Sequence, residues 1–288
     1  MTSKPTPVSG VAAGIPFLAV PPPGGPNAKA PVVVAWHLAD PPRTEAAFAA
    51  ALPLDGLDAW RIYLGLPLSG SRLPPGGDEE IMRLSYQDAV LNIFGPVTDQ
   101  AAHELGGALG ELRDRLGLGD GPIGLLGGSI GAAVALLVIA ESDIEISAAV
   151  LVSPLVQLTA VVEANERHYD LTYDWSEPSR QVVRRLDFVA RAGEIASHGE
   201  PAMLLVVGDK DDAPGVREPA QRLQQELGAR YTDSSRAELV AIPGMGHPLA
   251  EEPGVEPAPQ TAHAAQVDAH AVRWLARHLP ATDRPGVR

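Results

Sequence analysis

The chain has 288 residues, 45% apolar and 20% charged, a balance that permits a sizeable buried core and fits one α/β domain. Its formal net charge of -14 disfavours nucleic-acid phosphates and anionic membrane surfaces as partners, since both require clustered Lys and Arg. The absence of cysteine excludes disulfides, thiolate metal sites and a cysteine nucleophile, and leaves the redox compartment open.

The start, MTSKPTPVSG, leads into an apolar stretch interrupted by Gly14 and Pro16 with no convincing cleavage signal, so a soluble, cytoplasmic enzyme is expected. The longest apolar candidate, Ile130 to Ala140, falls short of the roughly 18 to 20 residues of a membrane span. Val11 to Val20 reads as an early strand, and PPPGGPNAKAP after it as a turn-rich connector making a hairpin into the next strand. That next strand is Pro31 to His37, whose successive valines suit burial on both faces, with another at Asp58 to Leu66 and a helix at Arg43 to Leu52 between them. From Thr98, the apolar positions Ala101, Leu105, Ala108, Leu109, Leu112 and Leu116 mark one face of a helix ending at Gly117.

Ile123 to Leu126 is a brief strand that ends in Gly-Gly-Ser and passes directly into the Ala-rich helix Ile130 to Ala140. Three more short strands follow at Ile146 to Val152, Met203 to Val207 and Leu239 to Ile242, with a helix at Arg217 to Leu227. Ala264, Val267, Ala271, Trp274 and Leu275 form the buried face of a closing helix. The alternation predicts a mostly parallel sheet flanked by helices. Leu155 to Glu200 exceeds a simple connection and holds two helical patterns with Tyr169, Tyr173 and Trp175; it reads as a small helical cap, or else as a peripheral helix pair.

Gly127-Gly128-Ser129-Ile130-Gly131 fits G-x-S-x-G, in which a serine on a sharp strand-to-helix turn tolerates only tiny neighbours and faces the N-H groups of the helix start. A serine hydroxyl needs a base, and histidine has the suitable pKa. Of eight histidines, His247 follows the last predicted strand in the glycine-bearing loop Gly244-Met245-Gly246. His103, His263, His270 and His278 lie on or beside helices, and His168 and His198 in the cap region. The carboxylate that orients the base belongs after Met203 to Val207, in Gly208-Asp209-Lys210-Asp211-Asp212; Asp211 is the first candidate, then Asp212 and Asp209. Gly119 to Gly124 spells G-x-G-x-x-G but precedes a strand, and His103-Glu104 lacks a second histidine, so neither a dinucleotide nor a zinc-protease site is indicated.

The order Ser129, Asp211, His247, with the G-x-S-x-G, a G-x-x-D from Gly208 and a G-x-G-H from Gly244, resembles the α/β-hydrolase superfamily from the Pro31 strand to the closing helix. The resemblance implies a serine hydrolase with Ser129 as nucleophile, His247 as base and Asp211 as orienting acid, needing no metal or cofactor. It also implies an oxyanion hole built from the N-H of Ile130 and a loop N-H after the early strand. There the family usually carries His-Gly, whereas this chain reads Trp36-His37-Leu38-Ala39-Asp40, so the loop donor is Leu38 or Ala39 and His37 is read as structural. With Trp36, Tyr169, Tyr173 and Trp175 as the expected pocket lining, the expected substrate is an uncharged or weakly polar small-molecule ester. A peptidase or amidase that uses Glu163 and Glu166 to bind a free amine is the alternative within the fold, and a non-catalytic binding module the alternative outside it.

Overall fold

The computed structural model describes residues 6–279, so residues 1–5 and 280–288, the two ends of the predicted domain, lie outside the described residues. The chain opens with β1 (Val8–Ala12) and β2 (Ile15–Val20), joined by a two-residue reversal in which Ala13 and Gly14 have φ of 47° and 81°. Positive φ at both positions suits the twist of a tight hairpin. The single strand expected from Val11 to Val20 is therefore two, and its register alternates buried and half-buried residues along β2.

β3 (Val32–Trp36) does not pair with β2. After α1 (Glu45–Ala51), β4 (Trp60–Leu64) inserts between them, antiparallel to β2 and parallel to β3. The expected hairpin across PPPGGPNAKAP is thus absent, because that connector crosses over β4 rather than turning back. Thr44 caps α1 by accepting from Ala47 N-H at 3.0 Å.

Next come α2 (Gly77–Ala89), a π turn over Val90–Phe94 and α3 (Gly95–Leu116), which stops at Gly117 in the left-handed conformation with φ 67°. β5 (Ile123–Gly128) runs straight into α4 (Ile130–Glu141). β6 (Ile146–Val152) is followed by α5 (Leu158–Tyr169), α6 (Glu177–Arg185) and α7 (Ala192–Ser197), which fill the long connection to β7 (Ala202–Gly208). α8 (Glu218–Arg230), β8 (Ala237–Ile242) and α9 (Ala262–His278) complete the chain.

The strands form one sheet in the order β1-β2-β4-β3-β5-β6-β7-β8, parallel from β4 to β8. α1 and α9 cover one face, where Phe48, Val267, Ala271 and Trp274 meet Val33, Val150 and Leu204. On the other face, α3, α4 and α8 pack over Val34, Leu125 and Leu205. Every residue of α4 from Ile130 to Ala140 is buried, since the helix lies between the sheet, α3 and α7. Each Leu, Ile or Val so enclosed contributes roughly 1.5–3 kcal/mol relative to exposure, which fixes the helix start firmly against β5.

Within the long connection, α5 packs on a π turn at Ala213–Arg217, α6 on the π turn before α3, and α7 against α4 and α8. No helix among the described residues is long and apolar enough to cross a membrane.

Candidate active site

Because β3, β5, β7 and β8 run parallel, their carboxyl ends share one edge of the sheet, where sites in open α/β folds gather. Ser129 stands there between β5 and α4 with φ 48° and ψ -115°, a strained conformation for a residue with a side chain. The flanking glycines are a steric requirement. A Cβ on Gly127 would lie 2.4 Å from Gly131 O, one on Gly128 2.3 Å from Leu38 Cδ1, and one on Gly131 2.4 Å from Trp36 O. The turn is therefore pressed against the loop that follows β3, and Ser129 N-H is tied to Val152 O at 2.9 Å.

The structure brings Ser129, His247 and Asp211 into one hydrogen-bonded line. Ser129 Oγ is 2.9 Å from His247 Nε2, and His247 Nδ1 is 3.0 Å and 2.9 Å from the two Asp211 oxygens. A carboxylate only accepts, so Nδ1 carries the proton and Nε2 presents its lone pair to the serine O-H. The Asp211 side chain is 3% exposed and that of His247 25%. Burial works against the charged imidazole, but the Asp211 hydrogen bond and charge, joined by the charge of Asp40, outweigh it and raise the His247 pKa.

The neighbouring carboxylates have other partners. Asp209 Oδ1 accepts from Gly244 N-H at 2.8 Å, which stitches the acid loop to the histidine loop, and a Cβ on Gly208 would lie 2.1 Å from Met245 O. Asp212 caps the following π turn through Gly215 N-H at 2.6 Å and pairs with Arg167 at 3.4 Å. Of the three candidates, Asp211 alone meets the imidazole.

His37 is fully buried; its Nδ1-H donates to Leu38 O at 2.6 Å and its Nε2 accepts from Leu66 N-H at 3.2 Å. Burial depresses its pKa to about 4, with the Leu38 bond pulling the other way, so the ring is neutral and structural. It also orients the loop. The Leu38 carbonyl is turned onto His37, so the Ala39 N-H of the same planar peptide points away from the buried ring. The His37 carbonyl faces α4, 2.6 Å from where a Gly131 Cβ would sit, which turns the Leu38 N-H away from that helix.

The expected pocket lining is only partly accessible. Trp36 is 1% exposed and belongs to the core with Ile130, a correction that follows from the burial of β3 on both faces. Tyr169 is 65% exposed at the end of α5, edge-on to His168. Tyr173 and Trp175 are half-buried and stack edge-to-face at 4.6 Å, with Tyr173 O-H donating to Asp88 at 2.5 Å. Of the two cap carboxylates proposed to bind an amine, Glu166 accepts from Tyr173 N-H at 2.6 Å and Glu163 is exposed.

Asp40 was not singled out by any motif, yet its Oδ2 lies 3.7 Å from His247 Nε2. Its loop is clasped to the segment beyond the histidine. Arg43 binds Glu252 through two bonds at 2.6 Å and 3.0 Å while also donating to Ala39 O and Pro253 O, and Leu249 N-H donates to Pro41 O. Among the described residues, no group of three or more His, Asp or Glu side chains is arranged to hold a metal ion.

No protein-family model matches the sequence, and no curated protein sequence does. Solved structures do match over nearly the whole chain. A puromycin-hydrolyzing peptidase of Mycobacterium tuberculosis superposes with a TM-score of 0.64 at 19% identity, covering 99% of this chain but 41% of that one, so the chain spans under half of that peptidase. A dienelactone hydrolase of Anabaena variabilis gives 0.56 at 19% identity, covering 96% of this chain and 100% of the other. A Pyrococcus furiosus esterase gives 0.56 at 14% identity, with 96% and 92% covered. The chain has the α/β-hydrolase fold.

Proposed function

We propose that the protein is a serine hydrolase that transfers an acyl group to water, with carboxylic esters as its leading substrates and no metal or cofactor in the reaction. The observation that carries this reading is the hydrogen-bonded line from Ser129 Oγ through His247 to Asp211, with both contacts near 2.9 Å at the carboxyl edge of the sheet.

In this mechanism Ser129 Oγ attacks the carbonyl carbon as its proton passes to His247 Nε2. Asp211, sealed from solvent, holds the ring in the reactive tautomer and stabilises the imidazolium. The oxyanion is met by the Ile130 N-H at the start of α4 and by the Ala39 N-H, chosen over Leu38 because the carbonyl of its peptide is anchored on His37. The imidazolium then returns the proton to the leaving group, and water cleaves the acyl-enzyme by the same steps reversed.

The 155–200 segment serves as a cap: α5 packs on the π turn just after Asp211 and α6 on the π turn before α3. Esters lead because the dienelactone hydrolase and the esterase match over almost their full lengths, while the peptidase matches over less than half. Cleavage of an amide by the same apparatus is the second reading, favoured by the higher TM-score to that peptidase.

The test is labelling of Ser129 by a fluorophosphonate, followed by a panel of aryl esters and aryl amides with wild type beside Ser129→Ala. Labelling and turnover that vanish together in the variant are expected, with esters cleaved faster. Folded wild type that neither labels nor turns over any panel member would leave a binding module instead.

A further inference from the structure

Asp40 is a charged group at the reacting edge that stands beside the relay without being one of its three members. Its Oδ2 lies 3.7 Å from the same ring nitrogen that stands 2.9 Å from Ser129 Oγ. Two carboxylates thus flank the imidazole from opposite sides. Asp211, 3% exposed, is sealed behind Nδ1; Asp40, 49% exposed, opens toward Nε2, where substrate must enter. The nearest arginine in sequence, Arg43, is held by Glu252 and two carbonyls, and among the described residues the ion-pair partner of Asp40 is His247.

Asp40 attracts the imidazolium that forms on His247 during acyl transfer, and the same charge, half-exposed on the side where substrate enters, also attracts a cation on the substrate. A carbonyl carbon held about 3 Å from Oγ has an α-nitrogen about 2.5 Å away, and an ammonium hydrogen bond to a carboxylate spans about 2.8 Å. Those lengths bridge from Ser129 Oγ to an Asp40 oxygen when both sit beside one nitrogen, as they do here. The chain's net charge of -14 adds a field that draws cations toward the molecule.

We infer that Asp40 is a specificity residue that binds a protonated amine beside the scissile carbonyl, so that the preferred substrates are α-amino esters or α-aminoacyl amides with a free amino group. The assignment rests on the acyl-transfer reading and narrows the expected substrate from an uncharged ester to a cationic one. It also moves amine recognition from Glu163 and Glu166 to the loop after β3.

The experiment compares leucine methyl ester with N-acetyl-leucine methyl ester at pH 7 for wild type, Asp40→Asn and Asp40→Glu, with fluorophosphonate labelling of Ser129 measured in each. Wild type should favour the free amine by about tenfold in kcat/KM, the scale of one half-exposed ion pair with a bound ligand. Asp40→Asn should bring the ratio of the two esters close to one, through a higher KM for the amino ester, and Asp40→Glu should restore part of it. A wild-type ratio near one, or an Asp40→Asn variant that slows both esters equally, overturns the assignment while labelled Ser129 keeps the acyl-transfer reading standing. Loss of labelling together with inertness toward both esters overturns the two readings together.

Discussion

Acid should loosen the loop after β3 before it harms the rest of the fold, because His37 is held there without charge. Of its two bonds, the one that Nε2 accepts from Leu66 N-H requires a neutral ring, and burial lowers its pKa from 6.5 to about 4 against the opposing pull of the Nδ1-H bond to Leu38 O. The sign follows from linkage: a base with a depressed folded value costs nothing above pH 6.5, and its penalty grows as pH falls toward 4, where the unfolded chain binds the proton and the folded one does not. Those two values give a loss of about 2 kcal/mol by pH 5 and about 3 kcal/mol by pH 4. His247, whose folded pKa is raised, adds stability below 6.5 that is lost as pH rises through its folded value, so it contributes no slope in the acid window. Urea unfolding of wild type and His37→Gln at steps from pH 4 to pH 8 isolates the term. The variant should be less stable by roughly 1–3 kcal/mol at pH 7, and that gap should shrink by about 2 kcal/mol at pH 5. A gap of constant size across the series would refute the account of His37.

Two further outcomes are expected. Asp211→Asn should lower kcat by about 10⁴-fold by favouring the wrong tautomer, whereas Asn at 209 or 212 can still accept the backbone N-H groups those carboxylates hold and should cost less than about tenfold; steady-state kinetics on the three variants would reassign the acid if Asp212→Asn proved the more damaging. Asp268 is pushed up to about 6 by burial, with the charge of Asp55 adding to it and the Leu54 N-H bond opposing it. An acid with a raised folded pKa is unpenalised below about 4 and fully penalised above about 6, so Asp268→Asn should gain roughly 1–3 kcal/mol at pH 7 and little at pH 4. Equal gains at both pH values in denaturant titrations would count against burial as the cause.

The parts of the fold that sequence made legible are those whose burial has a period. The five apolar positions named on the closing helix are all buried in α9, and the end of α3 at Gly117 matches its left-handed φ. α2 escaped notice because it buries none of its residues and so writes no apolar stripe, although it leads directly into the π turn and α3. The β1 to β2 reversal was hidden because Ala13 holds a positive φ usually announced by glycine or asparagine. Trp36 was misread for a related reason: a strand covered on both faces carries no alternation to say which side a terminal aromatic takes. At the site, Ser129, Asp211 and His247 stand out because each follows a strand within three residues of a glycine, whereas Asp40 shares no motif and is found only from its distance to the imidazole.

The clasp between Arg43 and Glu252 joins the stretch carrying Ala39 to the stretch trailing His247. Leu249 N-H on Pro41 O and Thr44 Oγ1 on Val255 O reinforce the seam. An amide donor and a proton acceptor drawn from opposite ends of the polypeptide are thereby locked into one frame during folding. For the proposed acyl transfer, that frame would place both groups before a carbonyl arrives and leave little reorganisation to the chemical step.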